Sequence, residues 1–328
     1  MQSEDYFINT SNGARNEGYW EPHSSSIDFC ETNYLLSHHV VEPHNVLSSL
    51  WGLSLLGFIG MYQGNPTGEL RFKIAYAILT VIGIGSAGLH GTLHWMFQSS
   101  DELPMIYLVI AALYCCLEND TPPQSKLKYP WLPHVCMLLG VINTLVYFSF
   151  QQIYIVFLLT FVSLTAAVFF LHVKIALRQR RTMLAILAPT DKSDIEILQG
   201  IHRNNAQLAL RFYVWHYLVY LGVASPVWIL DQIWCSKLLP FYDVLPSFFR
   251  GCTLHVIWHA TAGFGAHTIL QFLVACRMSV FGVPCRIRWI LGAIPVVAPA
   301  AGHNKDTKTR LDSLNSASTS SYKKNCIS

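Results

Sequence analysis

The chain has 328 residues, of which 52% are hydrophobic and 12% are charged, and its formal net charge is +3. Soluble domains usually carry about 25% charged residues, so this composition argues against a soluble domain and for a membrane protein. The small net charge, with no interleaving of basic and aromatic residues, argues against nucleic-acid binding.

The cysteines lie mostly inside apolar runs and form no CxxC pair. They therefore have the character of small buried hydrophobic residues rather than of metal or redox ligands. Cys30 and Cys252 are the exceptions, because both are expected near the same membrane face. A disulfide between these two cysteines is one expectation from the sequence.

Residues 1–38 are polar and lack the apolar core of a secretory signal peptide, so membrane targeting is expected to come from the first span. A membrane-spanning helix needs about 20 mostly apolar residues. This criterion predicts an all-α fold, a polytopic membrane protein built as a seven-transmembrane helix bundle. The predicted spans are 40–62, 73–97, 103–118, 132–150, 152–173, 209–234 and 247–276.

Three regions follow from these spans. An N-terminal segment, 1–39, precedes a membrane domain, 40–300, and a Ser- and Lys-rich tail, 301–328, is expected to be disordered. Within the membrane domain, the apolar stretch Trp289–Ala301 is too short and too proline-rich for an eighth span. This stretch is expected at the membrane interface.

Basic residues predict the orientation, because Lys and Arg concentrate in cytoplasmic loops. One set of loops and the C-terminal flank is basic, whereas the opposite set contains Asp101 and Glu102 and few basic residues. This bias predicts a lumenal N-terminus and a cytosolic C-terminus. The sequon at Asn9 is then lumenal, and the sequon at Asn119 is cytosolic and unmodified. The basic residues are Arg71, Lys73, Lys126, Lys128, Lys174, Arg178, Arg180, Arg181, Arg203, Arg277, Arg286 and Arg288.

The end of the second predicted span is unusually polar. Ser86 and His90 are four residues apart and therefore share one helical face. His94 follows at the same spacing, and a short polar turn, 98–100, is predicted before Asp101. Polar groups at the edge of an apolar span are costly without partners, so a functional site is expected here.

The last predicted span contains a second pair of histidines, His255 and His259, at positions i and i+4 of one helix. The predicted topology brings His90 and His255 to the same lumenal face. Three imidazoles with a fourth position left to water are typical of a catalytic zinc site. Two alternatives stay open on spacing alone: His94 in place of His90, and histidines that merely donate hydrogen bonds to the backbone.

The neighbouring polar residues have assignable roles beside a metal. Asp101 could act as general base and then general acid, and Ser86 could donate a hydrogen bond to a developing oxyanion. The structural alternatives are a helix cap for Asp101 and a hydrogen bond from Ser86 to the carbonyl four residues earlier. Asp231, deep in the sixth predicted span, either supports the site or joins two helices.

A second polar cluster precedes the first span and contains Asp28, Glu31, Asn33 and Glu42. Carboxylates and a side-chain amide, with backbone carbonyls, are the hard oxygen ligands that calcium prefers. The ordinary alternative is a solvated acidic segment that caps the next helix.

Three separated motifs resemble the alkaline ceramidases, a family of seven-span membrane hydrolases related to the adiponectin receptors. The resemblance runs from about Gly18 to about Pro299. The motifs are Gly18–Trp20 with Asp28–Tyr34, Gly85–His90 with Asp101–Tyr107, and His255–His259.

The resemblance implies two metal sites. It implies a catalytic zinc ion, flanked by Ser86 and Asp101, and it favours His90 over His94 because His90 lies four residues after the serine. It also implies that the acidic cluster is a structural or regulatory calcium site. Phe29 would contribute its backbone carbonyl to this site, although the family often has Trp at this position. The implied zinc ligands are His90, His255 and His259, and the implied calcium ligands are Asp28, Phe29, Glu31, Asn33 and Glu42.

The resemblance also implies an activity: zinc-dependent hydrolysis of the ceramide amide bond to a sphingoid base and a free fatty acid, regulated by calcium. The expected partners are a ceramide-type lipid and the bilayer, and the expected location is the endoplasmic reticulum or Golgi membrane. The alternative from a different class is a receptor-like lipid-binding protein whose zinc site is structural. A closed zinc site would favour that alternative, whereas an open fourth position favours the enzyme.

Overall fold

The computed structural model describes residues 18–123, 125–185, 193–246 and 248–300. Most of the described residues are helical. The helices are α1 (Pro43–Ser49, a π-helical turn Leu50–Ser54 and Leu55–Gln63), α2 (Leu70–Thr92), α3 (Trp95–Leu117), α4 (Leu132–Ser149), α5 (Tyr154–Ala185), α6 (Ser193–Val219, a π-helical turn Tyr220–Ala224 and Ser225–Asp243) and α7 (Leu254–Val280). The predicted sequon at Asn9 and the predicted tail lie outside the described residues.

Six helical segments among the described residues are long and apolar enough to cross a membrane, and they correspond to α1 through α6. The protein is therefore an integral membrane protein. α7 is not among the six, because His255, His259, His267 and Gln271 lower its hydropathy. These side chains are all buried in the centre of the bundle, where an apolar lipid-facing surface is not required. The seventh crossing and the orientation of the termini stay predictions.

The expectation of an all-α fold is wrong for one segment. Strands β1 (Cys285–Ile290) and β2 (Ile294–Pro299) form an antiparallel hairpin that includes most of the apolar stretch predicted at the membrane interface. The hairpin is held to α7: the amide N–H of Val297 donates to Gln271 Oε1 at 2.6 Å, and His267 Nε2 lies 2.9 Å from the carbonyl oxygen of Pro295. Residues 295–298 of the apolar run are thus buried against the bundle, whereas Trp289 and Leu291 stay exposed.

The boundary between α2 and α3 also differs from the prediction. α2 ends because Leu93 adopts a left-handed conformation with φ 46°, and His94 caps α3 by accepting a hydrogen bond from the Met96 N–H. Residues 98–100, predicted as a turn, are therefore helical. The Ser99 and Ser100 hydroxyls bond back to carbonyls four residues earlier, at 3.0 and 2.9 Å, which accommodates them inside the helix.

The predicted disulfide partner is wrong. Cys30 is bonded to Cys235, with a Cα–Cα distance of 5.3 Å, and Cys252 is an exposed free thiol. The sixth span was predicted to end at residue 234, but α6 continues to Asp243. Because of this extension, Cys235 lies on an ordered helix where the N-terminal segment can reach it.

The sequon at Asn119 is consistent with an unmodified side chain. Asn119 is buried, and its Nδ2, the atom that would carry a glycan, donates to the carbonyl oxygen of Leu273 at 3.0 Å. This bond joins the end of α3 to α7. The segment between the fifth and sixth predicted spans, 174–208, is helical over its described residues, since α5 continues to Ala185 and α6 begins at Ser193.

Candidate metal centre and active site

Three histidines from two helices meet at one end of the bundle. His90 of α2 and His255 and His259 of α7 each offer a ring nitrogen, and these atoms lie within 4.8 Å of one another. The ring centroids are 5.1 Å apart for His90 and His255, 4.9 Å for His90 and His259, and 4.6 Å for His255 and His259. All three side chains are buried. We call this group the histidine cluster.

Two glycines allow α1 to approach α7 closely beside the cluster. A Cβ atom on Gly263 would lie only 1.8 Å from the carbonyl oxygen of Gly52, and a Cβ on Gly52 would lie 3.0 Å from the backbone of Ala260. Because neither residue has a side chain, the helices can touch through their backbones. This contact places His259 next to Ser48 and Ser49 of α1.

Each histidine of the cluster has an outer partner on its second nitrogen or close to it. Glu42 Oε2 lies 2.5 Å from His90 Nδ1, and Ser48 Oγ lies 2.7 Å from His259 Nδ1. Asp231 Oδ2 is 3.8 Å from His255 Nδ1, and its Oδ1 accepts the backbone N–H of His255 at 3.2 Å. The partners of His90 and His259 are of the kind that fix the tautomer and orientation of metal-binding histidines, whereas His255 Nδ1 has no hydrogen-bond partner.

The donor set fits a zinc ion. With Nδ1 of His90 bonded to a carboxylate, its Nε2 is the free donor, and this atom is buried without a hydrogen-bond partner. Nε2 of His259 is likewise on the side opposite its serine partner, and it lies 3.3 Å from Ser86 Oγ. Three neutral imidazoles at this spacing are the ligand type and number that zinc takes when one position stays open.

The remaining histidines of the bundle have other environments. His94 caps α3 and belongs to a different helix from His90, so the break at Leu93 removes the i, i+4 relation between them. His216 Nδ1 lies 2.8 Å from the Gly265 carbonyl oxygen. His172 is buried in α5, and its Nε2 has no hydrogen-bond partner.

Ser86 lies directly beside the histidine cluster and is fully buried. Its Oγ is 2.9 Å from Ser49 Oγ as well as 3.3 Å from His259 Nε2. Ser49 in turn donates to the carbonyl oxygen of Asn45 at 2.7 Å. The Ser86 hydroxyl therefore points toward the cluster rather than to the carbonyl of its own helix.

Asp101 reaches the same region from α3. A Cβ atom on Gly85 would lie 2.1 Å from the Ser100 carbonyl oxygen and 2.8 Å from the Asp101 backbone nitrogen, so glycine is what lets α3 cross α2 here. Asp101 and His255 both line a cavity of about 450 Å³. Asp101 is in the second turn of α3 and does not cap the helix, which removes the capping alternative.

Replacement of Gly85 by Ala is expected to disturb this crossing strongly. The new methyl group would overlap backbone atoms, which cannot rotate away, and overpacking of this kind costs about 1–3 kcal/mol or more. We expect a lower melting temperature of the purified protein and a loss of activity. Gly91→Ala on the same helix is the matched control, because its Cβ would meet only Val46 at 3.7 Å. Equal melting temperatures for the two variants would contradict the packing argument.

The predicted calcium ligands surround the outer side of the cluster. Glu31 accepts the backbone N–H groups of His44 and Asn45, each at 2.8 Å, so it caps α1, but it is buried rather than solvated. Oε1 of Glu42 and Oδ1 of Asn45 are buried without a hydrogen-bond partner. Asp28 Oδ1 accepts the backbone N–H of Phe29 at 2.9 Å, and Asn33 also has interaction partners.

Glu42 is a buried carboxyl group with other carboxylates nearby. Burial raises the pKa of its carboxyl well above the ordinary range, and the carboxylates of Asp28 and Glu31 raise it further. Burial also raises the pKa of Glu31, against the lowering effect of its hydrogen bonds from His44. These carboxylates do not converge as tightly as the histidines, since no group of three acidic residues in the described chain brings its ligand atoms within 4.8 Å.

Phe29 contributes more than a backbone atom. Its ring packs against His90 at a centroid distance of 4.5 Å and against His255 at 4.3 Å, and it lines the cavity beside the cluster. The expectation that only its carbonyl matters therefore leaves out an aromatic contact. This contact covers one side of the histidine cluster.

Sequence reasoning missed Ser48 and Ser49, which contact His259 and Ser86. The available signal was a stripe of polar residues in the first span: Glu42, Asn45, Ser48 and Ser49 are spaced by three or four residues and share one helical face. Such a stripe inside an apolar span indicates a buried polar partner.

The sequence of this chain was compared with protein families and with known proteins. The family model for ceramidases matches residues 21–298. Alkaline ceramidase 3 of Mus musculus is 28% identical over 291 residues, covering 86% of this chain and 94% of the mouse protein. Alkaline ceramidase of Arabidopsis thaliana is 25% identical over 280 residues, covering 85% and 94%. Alkaline ceramidase YPC1 of Saccharomyces cerevisiae is 26% identical over 286 residues, covering 83% of both chains. The similarity spans the bundle and the hairpin.

Proposed function

The chain belongs to the ceramidase family, and on that premise we propose that it is a zinc-dependent intramembrane amidase that hydrolyses ceramides to a sphingoid base and a free fatty acid. The observation that carries the proposal is the buried histidine cluster with a cavity beside it. His255 and Asp101 both line that cavity, so the cluster has an open side.

The zinc ligands in this proposal are His90, His255 and His259, oriented by Glu42, Asp231 and Ser48. A zinc ion with an open position lowers the pKa of a bound water and polarises a carbonyl oxygen. The protein supplies the rest: it positions the amide, moves protons and excludes bulk water.

Asp101 and Ser86 have complementary roles in the proposal. The Asp101 carboxylate accepts a proton from the attacking water and then donates it to the leaving amine nitrogen. The Ser86 hydroxyl, next to His259 Nε2, donates a hydrogen bond to the carbonyl oxygen as that oxygen becomes anionic. Both residues are almost completely buried, where such interactions are stronger than in water.

The shape of the cavity supports access of the substrate from the bilayer. Most of its lining is apolar, and it lies between α5 and α6. Val162 of α5 and Ile229 of α6 line it and are 54% and 45% exposed on the lipid-facing surface. A lipid can therefore enter sideways, with its amide at the polar end formed by Asp101 and His255.

The alternative is a receptor-like lipid-binding protein in which zinc only joins helices. The open side of the cluster favours the enzyme, because a structural zinc site has four protein ligands. The test is metal analysis of the purified full-length protein together with hydrolysis of a panel of ceramides that differ in base and chain length. Stoichiometric zinc with turnover supports the proposal, whereas bound zinc without hydrolysis of any ceramide favours the alternative.

We also propose that calcium binds the N-terminal segment through Asp28, the Phe29 carbonyl, Glu31, Asn33 and Glu42, and regulates activity. The oxygen donors are of the type calcium prefers. The unpartnered Glu42 Oε1 supports this, because a buried carboxylate oxygen without a donor is costly. A cation would also offset the repulsion between these carboxylates.

Replacement of Asp28 by Ala is expected to weaken the response to calcium, because one carboxylate ligand is lost. The measurement is hydrolysis rate against free calcium for the Asp28→Ala and wild-type proteins. Glu21→Ala is the control, since this acidic residue lies in the same segment outside the ligand set. An unchanged calcium titration in the Asp28 variant would remove this site.

Family membership also supports a location in the endoplasmic reticulum or Golgi membrane. Microscopy of the tagged full-length chain beside organelle markers tests this, and a plasma-membrane signal alone would contradict it.

A further inference from the structure

A second cavity, of about 140 Å³, lies further along the bundle from the histidine cluster. We call it the inner cavity. Met105, Thr165 and Trp258 line both this cavity and the larger one beside the cluster, so the two are contiguous. The wall of the inner cavity is mostly apolar, with Leu and Ala side chains from α3 and α7.

The depth of the inner cavity follows from the helices that line it. On α3 its lining extends to Ala112, eleven residues beyond Asp101, and on α7 to Leu270, fifteen residues beyond His255. With a rise of about 1.5 Å per residue, the far end lies roughly 16–22 Å from the cluster. An apolar space of this length next to an amide-binding end matches one long hydrocarbon chain of a lipid.

Three buried polar atoms without a hydrogen-bond partner interrupt this apolar wall. Tyr217 Oη lies on α6, whereas Thr165 Oγ1 and His172 Nε2 both lie on α5, and His172 is only 5% exposed. Thr165 and His172 are seven positions apart and so face the same side of α5. Buried polar atoms are nearly always paired in proteins, so unpaired ones on a cavity wall indicate a ligand or an ordered water.

Binding of a hydrocarbon chain in the inner cavity does not require these polar groups. A site that only held a saturated chain would be better built with Val and Leu, since each unpaired polar group disfavours an apolar ligand. A site that contains a hydrogen-bonding group rejects analogues that lack the matching group on the ligand. Thr165 and His172 can each both donate and accept, which is the pattern that a hydroxyl group satisfies.

We propose that the inner cavity takes one hydrocarbon chain of the substrate and that Thr165 and His172 select a chain with a hydroxyl group part-way along its length. This inference rests on the proposed ceramide hydrolysis and deepens it by naming a substrate class. The hydroxyl could be on the acyl chain or on the sphingoid base, and the two sources are separate arms of the test.

The experiment compares ceramides that are identical except for one hydroxyl, placed next to the carbonyl, in mid-chain or at the chain end. A parallel set has the mid-chain hydroxyl on the sphingoid base. We expect kcat/KM to be about tenfold or more higher for a mid-chain hydroxyl than for the unsubstituted ceramide. Thermal stabilisation of the protein by hydroxylated and plain fatty acids gives a readout that does not depend on turnover.

Three variants assign the effect to these residues. Thr165→Val and His172→Leu should bring the ratio of kcat/KM for the hydroxylated and the unsubstituted ceramide close to one. His172→Gln, which keeps hydrogen-bonding atoms, should keep part of the preference. Thr160→Val is the matched control on the same helix, because its hydroxyl donates to the Val156 carbonyl at 2.8 Å and does not line the cavity.

The outcomes separate this inference from the function on which it rests. Hydrolysis of plain and hydroxylated ceramides at equal rates would overturn the inference and leave the enzyme intact, with an ordered water as the partner of both groups. A preference that survives in Thr165→Val and His172→Leu would also overturn it. Absence of all hydrolysis would overturn the proposed function, and stronger thermal stabilisation by hydroxylated acids would then still support the cavity assignment.

Discussion

Replacement of His90 by Ala is expected to remove bound zinc from the purified protein and to lower ceramide hydrolysis by about a thousandfold or more. The metal contributes several kcal/mol to transition-state stabilisation, and each 1.36 kcal/mol corresponds to a tenfold change in rate. His90 is one of the three donors within 4.8 Å of one another, and Glu42 would be left without its partner at 2.5 Å.

The matched control is His94→Ala. This histidine is four residues further along the chain but caps α3 and is not part of the cluster. The His94→Ala variant should keep full zinc content and most activity, and its stability should fall by at most about 1 kcal/mol because the helix cap is lost. His255→Ala should reproduce the His90 result. Full hydrolysis by either cluster variant would contradict the zinc mechanism.

Replacement of Asp101 by Asn should give a different phenotype, in which activity falls but zinc stays. The amide is nearly the same size as the carboxyl and cannot accept the proton of the attacking water. A positioned general base typically contributes about a hundredfold to ten-thousandfold to the rate. Metal analysis and kcat measured on the same preparation check both parts of the expectation.

Glu102→Gln is the control for the neighbouring carboxyl. Glu102 accepts hydrogen bonds from Tyr147 Oη at 2.7 Å and from Gln98 Nε2 at 3.0 Å. The bond from Tyr147 joins α3 to α4, and Glu102 also lines the cavity beside the cluster. Its replacement should lower the melting temperature more than the rate. Similar rate losses for the two variants, or zinc loss from Asp101→Asn, would contradict the assignment of Asp101 as the general base.

The two variants together separate two classes of site residue. We expect His90→Ala to remove the proposed metal and with it all chemistry that needs the metal, whereas we expect Asp101→Asn to remove proton transfer only. A receptor-like protein would lose zinc in the His90→Ala variant but would hydrolyse no ceramide before or after the replacement. The pair of experiments therefore tests the function as well as the residue roles.

Several features of this protein could be predicted from its sequence. The low charge content and the apolar runs predicted a helical membrane protein, and the first six predicted spans correspond to helices that are able to cross a membrane. The i, i+4 pair His255 and His259 had to share a face, because a helix fixes that geometry locally. Three motifs were enough to indicate the ceramidase family.

Element ends were less predictable, because short-range competition decides them. Residues 98–100 looked like a turn by composition, but the left-handed Leu93 and the His94 cap had already ended one helix and begun the next. The apolar stretch after α7 was too short for a span, and its pairing as a hairpin depended on Gln271 and His267 of a distant helix.

Contacts between helices were decided only by the tertiary structure. The helix break and the hydrogen bond between His90 and Glu42 put His90, and not His94, in the histidine cluster. The path of the N-terminal segment over α6 brings Cys30 to Cys235. Hydropathy and periodicity indicate which faces of a single helix are apolar and which are polar. Which faces meet depends on backbone approach at Gly52, Gly85 and Gly263 and on side-chain packing, which act between residues far apart in the chain. The sequence determined the membrane bundle and its reactive residue types, and the packing determined which of them form one site.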